Sequence, residues 1–397
     1  MTDKASANRE RCTVCDANDA VRFLALKQVP VHCNILWRMR SDALQAPRGD
    51  IHLAICRHCG HVFNAAFDPD LMAYNVDYEN SLHYSPRFQR YAMRLARRLV
   101  SRYDLHHKRI LEIGCGQGDF LRLLAELGGN ECIGFDPSYR PQEGANDSNG
   151  HVEIVQDYFS EQYSGYDVDL VCCRQVLEHL ERPTEFIAMI RRATGSSAET
   201  ALFFEVPNAL YTFRDLSVWD IIYEHVSLFG ATSLSRACEL GGCDVCDVSE
   251  AFDGQFLWID SRSPSRGISG SVMAHNLEPV APHIATFADR YQAKVEQWRI
   301  GLEQMRESGL RTVVWGAGSK GVMFLNTLNT RDHITYVVDI NPRKQGMYVP
   351  GTGQMIVAPR ALASYRPDVV IVMNAAYETE IRKAIADIGL SSTLMLA

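Results

Sequence analysis

The spacing of hydrophobic residues changes near residue 86, where an irregular N-terminal segment gives way to regular periodicity. Residues 1–85 contain short mixed apolar stretches and few helical periods, so this segment cannot bury much core by itself. Beyond it, four apolar residues recur at helical spacing with arginines on the opposite face: Phe88, Tyr91, Leu95 and Leu99. The pattern predicts an N-terminal module that needs extra stabilisation, followed by an amphipathic helix.

Short apolar runs then alternate with helical segments along the middle of the chain. The predicted strands are 109–113, 131–135, 152–155, 168–173, 201–206 and 244–249. The predicted helices between them are 119–127, 176–193 and 232–241. Strands and helices that alternate at this pace indicate an α/β domain built on a doubly wound parallel sheet.

A second, smaller α/β unit is predicted at the C-terminal end. A polar stretch at 261–270 and a proline-containing stretch at 276–282 indicate a boundary before it. The segments predicted to follow are a long amphipathic helix at 283–308, a strand–glycine–helix unit at 312–321, and strands at 334–339 and 368–373. We therefore expect three domains, with bounds 1–85, 86–275 and 276–397.

The composition is that of an ordinary soluble globular protein, since 46% of the 397 residues are hydrophobic and 22% are charged. No window approaches the ~20 consecutive apolar residues of a membrane span. The first residues also lack the apolar core of a secretory signal, so we expect a cytoplasmic protein without a membrane partner. The net charge of −8 argues against nucleic-acid binding but not against a small-molecule substrate. Monomer and homodimer both remain open.

Two cysteine pairs lie in the N-terminal module. Cys12 and Cys15 form one C-x2-C hook, and Cys56 and Cys59 form another. Each hook places two thiolates on one tight turn, so two hooks supply the four sulfurs of a closed structural zinc site. Disulfides or incidental cysteines are the alternative. Because such a site has no open position for a catalytic water, we expect the chemistry to lie elsewhere.

A third C-x2-C pair, Cys243 and Cys246, falls at the predicted strand 244–249. Side chains three positions apart in a strand diverge, so the two thiols cannot share a ligand easily. We expect them to contribute to core packing rather than to a metal site.

A glycine-rich loop, 114–118, follows the first strand of the middle domain. Glycines at alternate positions let the backbone turn sharply and approach a ligand closely. Such a loop alone is shared by dinucleotide and S-adenosylmethionine binders. Two acidic residues favour S-adenosylmethionine over an NAD-binding fold. Glu112 precedes the loop, and Asp136 ends the second strand, where it can accept hydrogen bonds from both ribose hydroxyls.

The loop resembles the first motif of class I S-adenosylmethionine-dependent methyltransferases, which has the form E-x-G-x-G-x-G. This resemblance implies a Rossmann-like methyltransferase core at 86–275. It also implies that Asp157 contacts the adenine amine and that Gln175 lies at the floor of the methionine pocket. The expected cofactor residues are Glu112, Gly114, Gly116, Gly118, Asp136, Pro137, Asp157 and Gln175.

Further motifs resemble the three-domain, zinc-containing sugar C-methyltransferases over nearly the whole chain. Besides the four cysteines, the resemblance is carried by segments 176–179, 223–229, 316–321, 338–346 and 349–351. That family methylates a carbon beside the ketone of a nucleotide-linked deoxysugar in antibiotic pathways. Ile222 and Tyr223 stand where the family usually has a tyrosine and a histidine, and 254–258 also differs. The identity of the sugar is therefore left open.

Methylation of such a carbon requires a base that removes a carbon-bound proton. Histidine suits this task near neutral pH, and the resemblance indicates His225, with Glu224 as a carboxylate that orients or tunes it. Adjacent residues on a strand would nevertheless point in opposite directions. Tyr223 and His179 are alternatives as base or enolate stabiliser. His179 packing under the sheet and Glu224 as a solvated loop carboxylate are the non-catalytic alternatives.

An aromatic cluster of Tyr74, Tyr78 and Tyr84 lies just before the middle domain. By resemblance, this segment closes over the cofactor and substrate, with Tyr78 as the contact residue. The alternative is that the three rings only pack the zinc module against the core.

The glycine loop of the C-terminal unit, 316–321, could in isolation be a second nucleotide site. The resemblance implies instead a wall of the substrate site, with Lys320 or Lys344 near the charged part of the substrate. A purely structural duplication is the remaining alternative.

Together these patterns predict an enzyme, a C-methyltransferase that acts beside the ketone of a nucleotide-linked deoxysugar. A second hypothesis is methyl transfer to carbon, nitrogen or oxygen of a non-sugar natural-product intermediate. A third is a non-catalytic scaffold built from zinc and two Rossmann-like units. The presence of Glu112, Asp136 and the Glu224–His225 pair argues against a scaffold, which would have little use for them.

Overall fold

The computed structural model describes residues 9–72, 78–141, 151–194, 200–262, 277–331 and 333–397. Its strands are β1 (Arg9–Glu10), β2 (Ala20–Pro30), β3 (Arg48–Cys56), β4 (Val62–Asn64), β5 (Arg109–Ile113), β6 (Glu131–Phe135), β7 (Val152–Val155), β8 (Leu170–Arg174), β9 (Ala201–Pro207), β10 (Ser227–Leu228), β11 (Asp244–Ala251), β12 (Phe256–Arg262), β13 (Thr312–Trp315), β14 (Tyr336–Val338), β15 (Met355–Val357), β16 (Val369–Val372) and β17 (Thr393–Leu396). Its α-helices are α1 (Arg40–Ala43), α2 (Pro86–Tyr103), α3 (Asp119–Gly128), α4 (Pro183–Ala193), α5 (Ala209–Phe213), α6 (Ala231–Leu240), α7 (Ala281–Ile284), α8 (Phe287–Glu307), α9 (Ser319–Leu328), α10 (Leu362–Tyr365) and α11 (Glu378–Asp387).

An antiparallel sheet forms the N-terminal module, with the described strands in the order β1-β2-β3-β4-β10. Strand β10 comes from the middle of the chain and pairs with β4, Ser227 opposite Phe63. Because of this pairing, the residues just before β10 are held between the N-terminal module and the middle domain. One of them is His225.

The central sheet has the order β11-β12-β9-β8-β5-β6-β7 among the described strands. Strands β5 to β9 run parallel, as predicted. The sheet is not parallel throughout, however, because β12 runs antiparallel between β9 and β11. Phe252, Asp253 and Gly254 turn the chain there with φ values of 47°, 57° and 80°. This tight reversal makes a hairpin of β11 and β12.

The helix predicted at 176–193 begins only at Pro183. Proline is favoured at the first helical position, where its missing N–H would have no intrahelical partner. A 3₁₀ turn, Leu177–His179, lies before it and follows closely on β8. The chain thereby presents Glu178 and His179 at the carboxyl edge of the sheet rather than on a helix.

The C-terminal sheet is parallel throughout its described strands, in the order β15-β14-β13-β16-β17. The long helix predicted before it at 283–308 is divided into α7 and the longer α8. Two strand–glycine–helix units therefore occur in the chain, one beginning at β5 and one at β13.

Helix α2 matches its prediction closely. Ser85 caps its N-terminus by accepting a hydrogen bond from the backbone N–H of Phe88 at 3.2 Å, and Pro86 begins the helix. The predicted apolar stripe is buried: Phe88, Tyr91, Leu95 and Leu99. Within the described ranges, no helix is both long and apolar enough to span a bilayer.

Candidate active site

The two cysteine hooks of the N-terminal module converge. The Sγ atoms of Cys12 and Cys59 lie 3.6 Å apart, as do those of Cys15 and Cys56, and all four Sγ atoms lie within 4.8 Å of one another. These thiols are not joined in disulfides. Four sulfurs bound tetrahedrally at ~2.3 Å from zinc would be separated by roughly 3.8 Å. The sulfur positions therefore fit a zinc ion.

The third hook does not form such a cluster. Cys243 is buried in the hydrophobic core beside Cys238, and Cys246 lies on β11 with its thiol donating to the carbonyl of Asp244 at 3.7 Å. The prediction of core packing is confirmed for Cys243.

The glycine loop after β5 adopts the backbone that its sequence predicts. Gly114, Gly116 and Gly118 have φ values of 73°, 56° and 79°, in the left-handed region that side chains disfavour. A Cβ atom on Gly114 would lie 2.2 Å from Cγ2 of Val176, whereas one on Gly116 would meet open space. At Gly116 the loop therefore offers its bare backbone to an open region beside the sheet edge.

Asp136 ties the loop to the end of β6. Its Oδ2 accepts the N–H of Gly116 at 2.7 Å, and its Oδ1 accepts the N–H and hydroxyl of Ser138 at 2.8 and 2.6 Å. Pro137, which has no N–H, leaves Ser138 to make this contact. A carboxylate offers about four acceptor sites and three are used here, so Asp136 can accept both ribose hydroxyls only when the Ser138 hydroxyl rotates away.

Glu112 lies beneath the loop and is 2% exposed. Burial raises the pKa of its carboxyl to about 8, although the guanidinium of Arg174, 4.0 Å from Oε1, opposes that shift. Arg174 itself binds Oε1 of Glu205 through two nitrogens at 3.1 and 3.2 Å. The sequence analysis missed Arg174 and Glu205. Their position at the ends of two predicted strands is the signal that could have revealed them.

The two remaining expected cofactor residues lie at the same edge. Asp157 follows β7, and its Oδ2 accepts a hydrogen bond from the hydroxyl of Tyr163 at 2.5 Å. Gln175 follows β8 with a left-handed φ of 57°, held by a bond from its N–H to the carbonyl of Glu205 at 2.7 Å. Such strain in a residue other than glycine is typical of functional sites.

A cavity of about 300 Å³ lies beyond this edge. All three parts of the chain line it: Asn34 and Tyr78 from the N-terminal side, Gln175, Glu178, His179 and His225 from the middle domain, and Ser319, Lys320, Asn341 and Lys344 from the C-terminal unit. Because Gln175 also lies beside the glycine loop, the cavity adjoins the expected cofactor site.

Two histidines face each other in this cavity. The ring centroids of His179 and His225 are 5.1 Å apart, with planes at 72°. Nδ1 of His179 lies 2.9 Å from the backbone carbonyl oxygen of Glu224. A carbonyl can only accept, so this nitrogen carries the proton and Nε2 keeps its lone pair. Burial lowers the pKa of both rings, that of His225 well below its usual value, so that both are neutral at pH 7.

The side chains of Glu224 and Tyr223 do not join this pair, which corrects the expectation for both. The Glu224 carboxylate accepts the N–H of Cys33 at 2.9 Å, on the N-terminal module. The Tyr223 hydroxyl accepts the N–H of Asp68 at 2.9 Å, and its ring lies against Phe67. Neither residue lines the cavity. These residues lie in a turn before β10, and both side chains contact the N-terminal module, whereas His225 faces the cavity.

Tyr78 lies at the cavity wall. The amide of Asn34 lies 3.4 Å from its hydroxyl, and burial together with the charge of Glu224 raises the pKa of Tyr78 well above its usual value. Tyr84 also lines the cavity. Tyr74, the third member of the predicted cluster, lies outside the described residues.

The C-terminal wall carries two lysines. Lys320 binds Oδ2 of Asp220 at 2.6 Å, and the buried Lys344 donates to the carbonyl of Ala317 at 3.2 Å. Asp339 accepts the N–H of Ala317 at 2.8 Å, as Asp136 accepts that of Gly116. In both α/β units, an aspartate just after a strand therefore accepts a backbone N–H of the glycine loop.

Each of the two α/β units matches the model of a known protein family. Residues 86–248 match the family model described as "Methyltransferase domain". Residues 274–393 match the one described as "C-methyltransferase C-terminal domain".

Individual proteins are similar over shorter stretches. A tRNA U34 carboxymethyltransferase of Campylobacter hominis is 28% identical over 110 residues, which cover 25% of this chain and 36% of that protein. The matched region thus spans about a third of the length of that relative. Similar solved structures include N,N-8-amino-8-demethyl-D-riboflavin dimethyltransferase of Streptomyces davawensis (16% identity, 45% of this chain and 56% of that chain, TM-score 0.38). Another is magnesium protoporphyrin IX methyltransferase of Synechocystis (14% identity, 45% and 84%, TM-score 0.36).

The family matches agree with the geometry of the glycine loop, in which Glu112 and Asp136 flank an exposed turn of backbone. They favour the methyltransferase prediction over the NAD-binding and non-catalytic alternatives. The chain therefore combines a methyltransferase domain with a C-methyltransferase C-terminal domain.

Proposed function

We propose that the enzyme methylates a carbon beside the ketone of a nucleotide-linked deoxysugar, with His225 as the base. The observation that carries this proposal is the pair of neutral imidazoles in a cavity next to the cofactor loop. A neutral imidazole accepts a proton, whereas a protonated one cannot. Nitrogen and oxygen acceptors have their own lone pairs and need such a base less.

Bound S-adenosylmethionine supplies a methyl group activated by its sulfonium charge. The chain holds it through Asp136 and the glycine loop at one side of the cavity. Within the cavity, His225 would remove the proton from the carbon next to the ketone, and that carbon would become the nucleophile. His179, fixed by its bond to the Glu224 carbonyl, would keep the ring of His225 in place.

Three features support a substrate that carries a negatively charged group. The cavity extends from the two histidines to the C-terminal domain, so one ligand can contact both. Lys320 and Lys344 lie on the wall that the C-terminal domain contributes. The N-terminal end of the helix that begins at Ser319 also lines the cavity, and helix N-termini favour anions such as a diphosphate.

The acceptor atom can be tested with the wild-type enzyme and nucleotide-linked keto-deoxysugars. In heavy water, we expect the proton next to the ketone to exchange for deuterium, and the product to carry a new C-methyl group by NMR. Exchange reports on the base independently of methyl transfer, since S-adenosylhomocysteine can replace the methyl donor. An N-methyl or O-methyl product, without carbon exchange, would show that the enzyme acts on a different acceptor.

The zinc site is also a proposal, with Cys12, Cys15, Cys56 and Cys59 as ligands. Purified enzyme should contain about one zinc per chain by elemental analysis. The Cys56→Ser variant should lose the metal and unfold at a lower temperature, because the module cannot bury enough core alone. Cys246→Ser, which alters the third hook, should retain the zinc. Equal zinc content in both variants would contradict the assignment.

A further inference from the structure

Glu178 is a buried carboxyl group in the cavity that the mechanism above does not use. It is 1% exposed and lines the cavity, yet neither of its oxygens has a hydrogen-bond partner among the described residues. A buried polar group without a partner destabilises the folded protein. Such a group in an active site therefore indicates a missing ligand.

The Glu178 carboxyl group lies close to the two histidines. One oxygen of Glu178, one ring nitrogen of His179 and one ring nitrogen of His225 all lie within 4.8 Å of one another. A base that removes a proton from carbon and a donor that binds the adjacent carbonyl oxygen must be only a few ångströms apart. Glu178 and His225 have this separation.

Other polar groups of the cavity are already engaged. The amide of Asn208 donates to the carbonyl of Gly254 at 2.9 Å, that of Gln255 to Asn374 at 3.1 Å, and the ammonium of Lys320 to Asp220 at 2.6 Å. The Glu178 carboxyl makes no comparable bond. It can therefore form a hydrogen bond with the substrate without first breaking a contact within the protein.

We propose that Glu178, as a neutral carboxylic acid, donates a hydrogen bond to the substrate carbonyl oxygen while that oxygen becomes an enolate. The inference rests on the proposed carbon methylation. As His225 takes the proton, the electron pair of the broken C–H bond moves to the carbonyl oxygen, where the O–H of Glu178 stabilises the negative charge. When the carbon attacks the methyl group, the carbonyl reforms and the proton stays on Glu178.

The surroundings keep this carboxyl protonated. Burial raises the pKa of Glu178 to about 8. The residue's own backbone N–H acts against that rise, and the charge of Glu205, on β9, adds to it. The groups that face it are His179 on its own turn and His225 before β10, which are both neutral at pH 7, and the buried thiol of Cys173 on β8. Lys320 is near His225 and is paired with Asp220.

Two substitutions of similar volume separate this role from a structural one. Glu178→Leu removes the donor, so we expect kcat to fall by about 10²–10³ at pH 7. Glu178→Gln keeps an N–H donor that cannot ionise, so kcat at pH 7 should stay within roughly tenfold of wild type. Wild-type kcat should decline as pH rises through about 8, because the carboxyl loses its proton there, and this decline should be absent in the Gln variant.

Unchanged S-adenosylmethionine affinity and melting temperature would establish that both variants fold. Equal losses of kcat in the Gln and Leu variants at pH 7 would overturn the proposal. That result would mean that Glu178 acts only as a carboxylate paired with a protonated histidine, since both substitutions remove the carboxylate. A second metal equivalent per chain that disappears in both variants would overturn it as well. A C-methyl product formed at the wild-type rate by Glu178→Leu refutes this inference alone, whereas an N-methyl or O-methyl product refutes the proposed function.

Discussion

His225→Asn should lower kcat by about 10²–10⁴, the usual contribution of a positioned base. Asparagine is close in size and polar, so the cavity keeps its shape, but its side chain cannot accept a proton near neutral pH. Deuterium exchange at the substrate carbon should fall by the same factor as turnover, because both need the proton removed. S-adenosylmethionine affinity should persist, since His225 lines the cavity and not the glycine loop. NMR time courses in heavy water measure the rates of exchange and of methyl transfer on one sample.

The pH dependence gives this prediction a second readout. Burial lowers the pKa of His225 well below its usual value, so the ring is in its proton-accepting form throughout the neutral range. The titration of His225 should therefore lower the rate on the acid side, at a pH well below 6.5, separately from the decline near pH 8 that is expected from Glu178. An acid limb centred near 6.5 would indicate a solvent-exposed histidine instead.

Two further variants identify the base. His106→Asn, which changes an exposed histidine on the surface, should leave kcat unchanged. His179→Asn should reduce kcat less than His225→Asn, because the proposal gives His179 a positioning role. Exchange that survives in His225→Asn but is lost in His179→Asn would transfer the role of base to His179.

The parts of the molecule that were predicted from sequence are those set by local chain geometry. The cysteine hooks and the glycine loop converge as expected, since tight turns need only a few neighbouring residues. Strands β5 to β9 were also predicted, because each is a short apolar run bounded by helices. Strand β12 was missed although it begins with the apolar run 256–259, because its polar end merges with the predicted boundary at 261–270.

The catalytic cavity depends on contacts that no local pattern reveals. Glu178 and His179 lie on a turn after β8, whereas His225 lies just before β10, and the pairing of β10 with β4 helps to bring them together. The same pairing turns the Glu224 carboxylate to Cys33. Pro183 was a local signal for the true helix start, and it would have placed Glu178 outside the helix.

Asp136→Ala should weaken S-adenosylmethionine binding by about 10- to 10³-fold. The substitution removes the expected acceptor for two ribose hydroxyls, and each hydrogen bond lost from a buried site costs ~1–3 kcal/mol. It also releases the N–H of Gly116, which Asp136 now holds at 2.7 Å, so the loop loses part of its fixed shape. Titration calorimetry with S-adenosylmethionine measures the change directly.

The second glycine loop supplies a matched control. Asp339 accepts the N–H of Ala317 at 2.8 Å and that of Asn341 at 2.8 Å, which repeats the bonding of Asp136 in the other α/β unit. Asp339→Ala should therefore disturb its own loop to a similar degree while leaving S-adenosylmethionine affinity unchanged. Equal losses of affinity in the two variants would show that the effect is a general loss of stability. Unchanged affinity in Asp136→Ala would place the cofactor away from the loop at 114–118. A loss confined to Asp136→Ala assigns the cofactor to the middle domain and leaves the C-terminal loop to face the substrate.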